Sequence, residues 1–112
     1  MTSLNAGDIV WADFDRVLGT EQGGRRPAIV LTSSGFHEQD ERSIVCPITH
    51  NMNPWPTKVF LPGGMRTSGA VRCDQIRNVH RAGRGVRFIE HAPEDVLADV
   101  RAVVASILGI SA

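Results

Sequence analysis

The sequence predicts a small, mainly β domain, a strongly bent sheet or barrel with one C-terminal helix. Two observations carry that expectation: five or six short apolar runs at close spacing punctuated by glycine and proline, and one late segment whose apolar residues recur at helical period. At 112 residues the chain is long enough for one hydrophobic core but not for two domains of ordinary size, so residues 1–112 are expected to form one domain. Its 42% hydrophobic and 21% charged content lies near the globular average and argues against disorder or a fibrous architecture.

The elements follow in order. Asp8 to Phe14 is short, apolar and bounded by Gly7 and Asp15, and reads as a first strand. Asp15 to Arg26 reads as a polar, glycine-rich loop. Pro27 to Thr32 is almost continuously apolar, as in a strand buried on both faces, with proline first, where no ladder donor is needed. After a turn at Ser33-Ser34-Gly35, Phe36 to Arg42 is expected to form a surface excursion or one helical turn. Ser43 to Thr49 resumes a strand, with Pro47 calling for an edge or a bulge. The prolines and asparagines of Asn51 to Pro56 mark an irregular loop. Lys58 to Leu61, Ala70 to Cys73 and Val86 to Ile89 are further strands. Pro93 suits the first helical position, Glu94 and Asp95 suit the positive end of the helix dipole, and Gly109 ends a stripe of Val96, Val100, Val103, Val104, Ile107 and Leu108 that is expected to pack on the sheet.

Bulk features narrow the function classes. No stretch approaches the roughly 18 apolar residues of a membrane span. The N-terminus lacks the pattern of a signal peptide, so a cytoplasmic protein without a membrane partner is expected. Cys46 and Cys73 show no CxxC or Cys/His spacing and are expected to be reduced structural thiols; neither a metal nor a cofactor is expected. Formal net charge is zero, but Arg66, Arg72, Arg77, Arg81, Arg84 and Arg87 face only Asp74 within their segment, so a neutral chain is expected to carry a basic face. Eleven of the twelve basic residues are arginine, which leans towards planar, bidentate phosphate recognition.

Reactive side chains gather at Glu21 with Arg25 and Arg26 in the glycine-rich loop, at Thr49 with His50 at one strand end, and at Arg72, Asp74 and Gln75 at another. They supply an acid, a base, several guanidinium groups and hydroxyl or amide donors. Each cluster also has a plain structural reading: loop acids pair with arginines, and aspartates cap turns.

Four segments together resemble the MazF/PemK family of toxin endoribonucleases. They are Gly7-Asp8-Ile9-Val10-Trp11, the loop Gly19-Thr20-Glu21-Gln22-Gly23-Gly24-Arg25-Arg26-Pro27-Ala28, Cys46-Pro47-Ile48-Thr49, and Gly69-Ala70-Val71-Arg72-Cys73-Asp74-Gln75-Ile76-Arg77, the last especially close to the PemK/Kid branch. The resemblance implies an SH3-like barrel, a homodimer, and metal-independent, sequence-specific cleavage of single-stranded RNA. It also implies a cognate antitoxin whose disordered tail covers the RNA site, with operator DNA bound only through the antitoxin complex. Such cleavage uses the substrate's own 2′-OH and needs a base, cationic donors for the phosphorane and an acid for the leaving oxygen. By similarity, Asp74 is the base and Arg72 the acid, while Glu21 and Arg26 take part from the signature loop. Arginine holds its proton tightly, so Arg72 and Arg26 read better as electrostatic clamps. Thr49 would bond a phosphate oxygen and Gln75 would order the loop or touch a base edge. Arg25, Arg77, His50 and Trp55 are the remaining candidates for RNA contact. Where the Kid branch has a histidine before the signature glutamate, this chain has Thr20; His50 and His80 are the candidates to replace it as leaving-group donor, beside the plainer reading of each as a surface or structural histidine. The alternatives are a non-catalytic toxin of the same fold, such as a CcdB-like gyrase poison, which has no need of these pairs, and a degenerate toxin that acts only as a co-repressor with its antitoxin.

Overall fold

The computed structural model describes residues 4–14 and 24–110. They form seven strands and two helices: β1 (Asp8–Phe14), β2 (Gly24–Val30), α1 (Ser34–Gln39), β3 (Arg42–Thr49), β4 (Lys58–Phe60), β5 (Ala70–Arg72), β6 (Arg77–His80), β7 (Arg87–His91) and α2 (Glu94–Leu108). The expected class, mainly antiparallel β with a C-terminal helix, is the one observed. The strands join in the order β4-β5-β3-β2-β1-β7, with β6 also paired to β3.

Several boundaries differ from expectation: β2 ends at Val30 rather than Thr32, α1 begins at Ser34, within the expected turn, and β7 runs on to His91. Gly24, Arg25 and Arg26 are strand rather than loop, because they pair with Phe14, Asp13 and Ala12 of β1. Pro93 is the N-cap of α2 rather than its first helical residue. Strand β6 was not expected at all: only Val79 of its four residues is buried, and its extended form is imposed by pairing with Arg42–Val45 of β3.

Two apolar clusters lie on opposite faces of the sheet. One joins Ile9, Ile29, Cys46, Ile48 and Val71 to Val96 and Val100 of α2. The other joins Val10, Phe14, Val30, Val45 and Val79. The second cluster measures the curvature. In a flat sheet β1 and β6 would stand about 14 Å apart, with β2 and β3 between them. Instead the Arg77 guanidinium of β6 lies 5.1 Å from the centre of the Phe14 ring of β1, so the sheet curls into a barrel-like form. The Asp13 N–H donates to Arg84 O at 2.9 Å and ties the end of β1 to the turn after β6.

Helix α2 carries Glu94 and Asp95 in its first turn and ends on Gly109, whose φ of 73° admits the left-handed cap. Its stripe covers the sheet only in part. Val96 and Val100 are buried and Val103 and Val104 pack against the same cluster, but Ile107 and Leu108 are 43% and 58% exposed, because the last turn runs past the core. No helix among the described residues is long and apolar enough to cross a membrane.

Two prolines determine where the sheet opens. Leu31 N donates to Ile44 O, so the polar groups of Ile44, Cys46 and Ile48 face β2 and those of Pro47 face the other way. On that other side β3 pairs with β6 at residues 42–45 and with β5 at Ile48 and Thr49, so Pro47 sits at the gap where no donor is required. Gly7 N donates to Val30 O, so Val30, Ala28 and Arg26 face β1 and Pro27 faces β3. The β2–β3 ladder runs from Val30↔Val45 to Ala28↔Pro47 and stops where Pro27 would have had to donate. Beyond that point β2 stays with β1, β3 goes on to β5, and a cleft separates them.

Candidate active site

The cleft has a volume of about 470 Å³, within the usual range of ligand pockets, and is lined from β2 by Arg25, Arg26 and Pro27, from β3 and its exit by Ile48, Thr49, His50 and Asn51, and from β1 by Trp11. A second cavity of about 210 Å³ shares Trp11, Pro27 and His50 and adds Arg66, Thr67, Ser68 and Ile89, so the two form one continuous groove. Trp11 is the exposed position of a β1 that is otherwise largely buried, at 40% exposure, and stands opposite Arg87 of β7. It places an exposed indole opposite a cationic residue on the neighbouring strand.

Thr49 is buried, and its Oγ1 accepts the Asn51 N–H at 3.1 Å, which leaves the hydroxyl proton available to donate into the groove. Gly69, at φ 127°, allows close approach here: a Cβ at that position would collide with the Thr49 carbonyl oxygen. The neighbouring wall is fastened by a long-range clamp. Glu90 of β7 accepts the Arg66 N–H on Oε1 at 3.2 Å, and on Oε2 the N–H and hydroxyl of Thr67, both at 2.7 Å. Desolvation acts to raise the Glu90 carboxyl, but the Thr67 hydroxyl, the two backbone donors and the Arg66 charge outweigh it and hold the group below the usual carboxylate range.

Strand alternation places Arg26, Thr49 and Arg72 on one face of the sheet, since Thr49 lies opposite Ala70 and the ladder continues towards Arg72. Arg72 Nε donates to Asp74 Oδ1 at 3.3 Å. This ion pair does not line the groove; it stands on the β5 side of Thr49. Gln75 follows in the turn, its N–H on Arg72 O at 3.1 Å. Glu21, together with Thr20, lies outside the described residues.

Of the remaining candidates, Arg25 lines the groove while its Nη1 donates to Gly85 O at 3.2 Å. Arg77 is engaged with Phe14. Trp55, at 62% exposure, sits on the loop after β3. The two histidines separate clearly. His50 is in the groove. His80 pairs with Arg42 at the opposite end of β3, about 23 Å along the strand from Thr49. Its Nδ1 accepts the Gly83 N–H at 3.0 Å and its Nε2 contacts Glu41 at 3.2 Å, so His80 serves the β6 turn and not the groove.

The expected basic face is also reduced. The Arg81 guanidinium donates to Arg42 O, Ser43 Oγ, His37 O and Asp40 O at 2.7 to 3.2 Å, so it fastens α1 to β3. Cys46 and Cys73 are buried and free, as expected, and burial, with Asp74 nearby, pushes both thiols up to about 12. Among the described residues, no three histidine, cysteine, aspartate or glutamate side chains gather as a metal site.

With this geometry in view, the chain matches the family described as "PemK-like, MazF-like toxin of type II toxin-antitoxin system" over residues 5–108. The chain belongs to this toxin family. Endoribonuclease PemK of Escherichia coli is 33% identical over 111 residues, covering 96% of this chain and 84% of PemK. A solved MazF from Deinococcus radiodurans superposes with a TM-score of 0.92 at 36% identity, covering 98% of this chain and all of that one. A MazE-MazF structure from the same organism matches with a TM-score of 0.86 at 34% identity over 99% of this chain and all of that chain. The fold of the solved MazF is thus matched along all of its chain, and the Arg26-Pro27 and Ile48-Thr49 segments border the groove.

Sequence reasoning missed Trp11, Asn51 and the Arg66–Ser68 wall. Trp11 could have been noticed as a large aromatic whose neighbours Val10 and Ala12 alternate into a core cluster. The wall had no comparable signal, because Glu90 lies 23 residues from Thr67.

Proposed function

We propose that this chain is an endoribonuclease toxin that cuts single-stranded RNA by attack of the 2′-OH on the adjacent phosphate, independently of metal. The observation that carries the reading is the meeting of Arg26 and Thr49, from two separate family segments, in one groove with an exposed tryptophan and a histidine. An aromatic face takes a base and an arginine takes a phosphate, which suits unpaired RNA better than a duplex.

In this reaction Asp74 removes the 2′-OH proton, the 2′ oxygen bonds to phosphorus, and the bond from phosphorus to the 5′ oxygen breaks. The products are a 2′,3′-cyclic phosphate and a 5′-OH. Arg26 and Arg72 stabilise the extra negative charge of the phosphorane, and Thr49 donates to a non-bridging oxygen. His50 supplies the proton taken by the leaving oxygen, the role for which Thr20 has no group. Glu21 assists from the signature loop, while Arg25, Gln75, Arg77 and Trp55 contribute RNA contacts. The chain acts as a homodimer with an antitoxin partner, the latter supported by its likeness to MazE-MazF. Operator DNA is reached only through that complex.

The test is incubation of the purified protein with long single-stranded RNA in EDTA, followed by mapping of the cut ends. Discrete cuts leaving 5′-OH ends are expected. A requirement for a divalent ion, or uncut RNA, overturns the mechanism.

A further inference from the structure

Lys58 is the sole lysine among twelve basic residues, and its ammonium is directed onto a loop. Lys58 Nζ donates to Asn51 O at 2.9 Å and to Asn53 O at 2.8 Å. The same loop is pinned internally: Asn51 N–H donates to Thr49 Oγ1 at 3.1 Å, Asn53 N–H to Asn51 Oδ1 at 2.9 Å, and Lys58 N–H to Trp55 O at 3.0 Å. A segment without regular secondary structure is therefore held in one shape between the groove, which Asn51 lines, and β4. It carries two large apolar side chains in the open, Met52 at 52% and Trp55 at 62% exposure.

The choice of lysine has a physical reason. An ammonium sends three protons outwards from one atom and can serve two carbonyls two residues apart, whereas a guanidinium spreads its donors in a plane. Lys58 also lies directly opposite Arg72 in the β4–β5 register, and like charges so placed repel. Asp74 holds Arg72 while the loop carbonyls hold Lys58, so the repulsion between the pair is relieved in opposite directions.

We propose that Lys58 is a specificity-determining positioning residue: its ammonium fixes the loop over residues 51–55 and so presents Trp55 as a stacking surface for a base of single-stranded RNA flanking the cut. The proposal rests on the endoribonuclease reading. Trp55 is four residues from the groove residue Asn51, within the reach of one or two nucleotides, and a tryptophan fixed before binding loses less entropy on stacking than one on a mobile loop.

A double-mutant cycle decides it, using the parent chain, Lys58→Met, Trp55→Ala and the double variant. Each is assayed for steady-state cleavage of a short single-stranded RNA in EDTA and for the pattern of cuts on a long one, with thermal unfolding recorded alongside. Each single variant is expected to raise KM about five- to tenfold with kcat within about twofold. Because Lys58 acts through Trp55, the double variant should be no worse than Trp55→Ala by more than about twofold. Lys58→Met should also cut at additional sites, and Lys58→Arg, which keeps charge and fold, should restore KM only in part. Multiplicative costs in the double variant, with a shallower salt dependence for Lys58→Met alone, would mean that the ammonium meets a phosphate directly and would overturn the proposal. An unchanged KM and cut pattern overturns it as well. A parent chain that leaves RNA uncut removes the endoribonuclease reading and this proposal together, whereas a cutting parent with independent single effects removes only this proposal.

Discussion

At its Arg42 end, β3 is paired with β6, with β2 joining on the other side by Val45, and the nearby polar groups are turned onto the protein itself: Arg81 spans four acceptors and His80 takes a backbone donor. At its Thr49 end, the same strand has lost β2, gained only two residues of pairing with β5, and borders a groove with Arg25, Arg26 and His50 on its walls. Both ends are rich in arginine. What separates them is where the forks lie: beside helix α1 the Arg81 guanidinium is spread over four acceptors of the protein, whereas at the other end Arg25, with one bond to Gly85 O, and Arg26 line a groove. Arginine content alone therefore says little about phosphate binding, and the partner of each fork has to be known.

Substitutions at the two ends should fail in opposite ways. The largest effect is expected for Arg26→Ala, which should lower RNA cleavage by about 10²- to 10³-fold, in the manner of a lost transition-state donor, with the thermal midpoint nearly unchanged. If Arg26→Ala instead unfolds the chain, the contrast between the ends disappears. Arg81→Met is expected to show the reverse: about 2 kcal/mol of lost stability in denaturant titrations, because several carbonyls lose a charged donor, and near-parental cleavage under conditions where the variant is folded.

A smaller effect is expected at the Glu90 clamp, which joins the groove wall to β7. A glutamine at this position would put an amide donor against a donor, so Glu90→Gln should lower stability modestly and raise KM about threefold. The Glu90 carboxyl is held below its ordinary value in the folded chain, so its contribution is present above the ordinary carboxylate range and is lost as pH falls through the depressed folded value. The stability gap between parent and Glu90→Gln should accordingly be constant near neutrality and shrink in acid. A gap that widens as pH falls would contradict the clamp.

Legibility in the sequence followed the range of the interactions. Strand β1 was readable to the residue, because an apolar run between Gly7 and Asp15 is a local signal. Helix α2 was readable from its period and its terminal glycine, though not in the exposure of Ile107 and Leu108, which depends on where the sheet stops. Gly24 to Arg26 looked like loop because glycine and arginine are poor strand formers, and only pairing with β1 makes them strand. Strand β6 was hidden for the same reason, its single buried residue giving no alternation to detect. At the site, Arg26 and Thr49 were singled out and stand in one groove. Arg72 and Asp74 were singled out from the sequence too, with the resemblance adding only their roles, but their position beside rather than inside the groove depends on β5 pairing. Arg81 was misleading as part of a basic face, because a side chain bound to carbonyls reads the same in sequence as one left in water.

Pro27 bears on the speed of binding. Between β2 and β3 the groove exists because the Pro27 ring has removed the donor that would have continued the ladder, so no hydrogen bond there must break to open it. For these two walls the competent form is the ground state, and the observed affinity carries no reduction for a rare open population. Association at this part of the site is then set by the encounter between a charged strand and a fixed surface, and differences among bound sequences should appear mainly in how fast they leave.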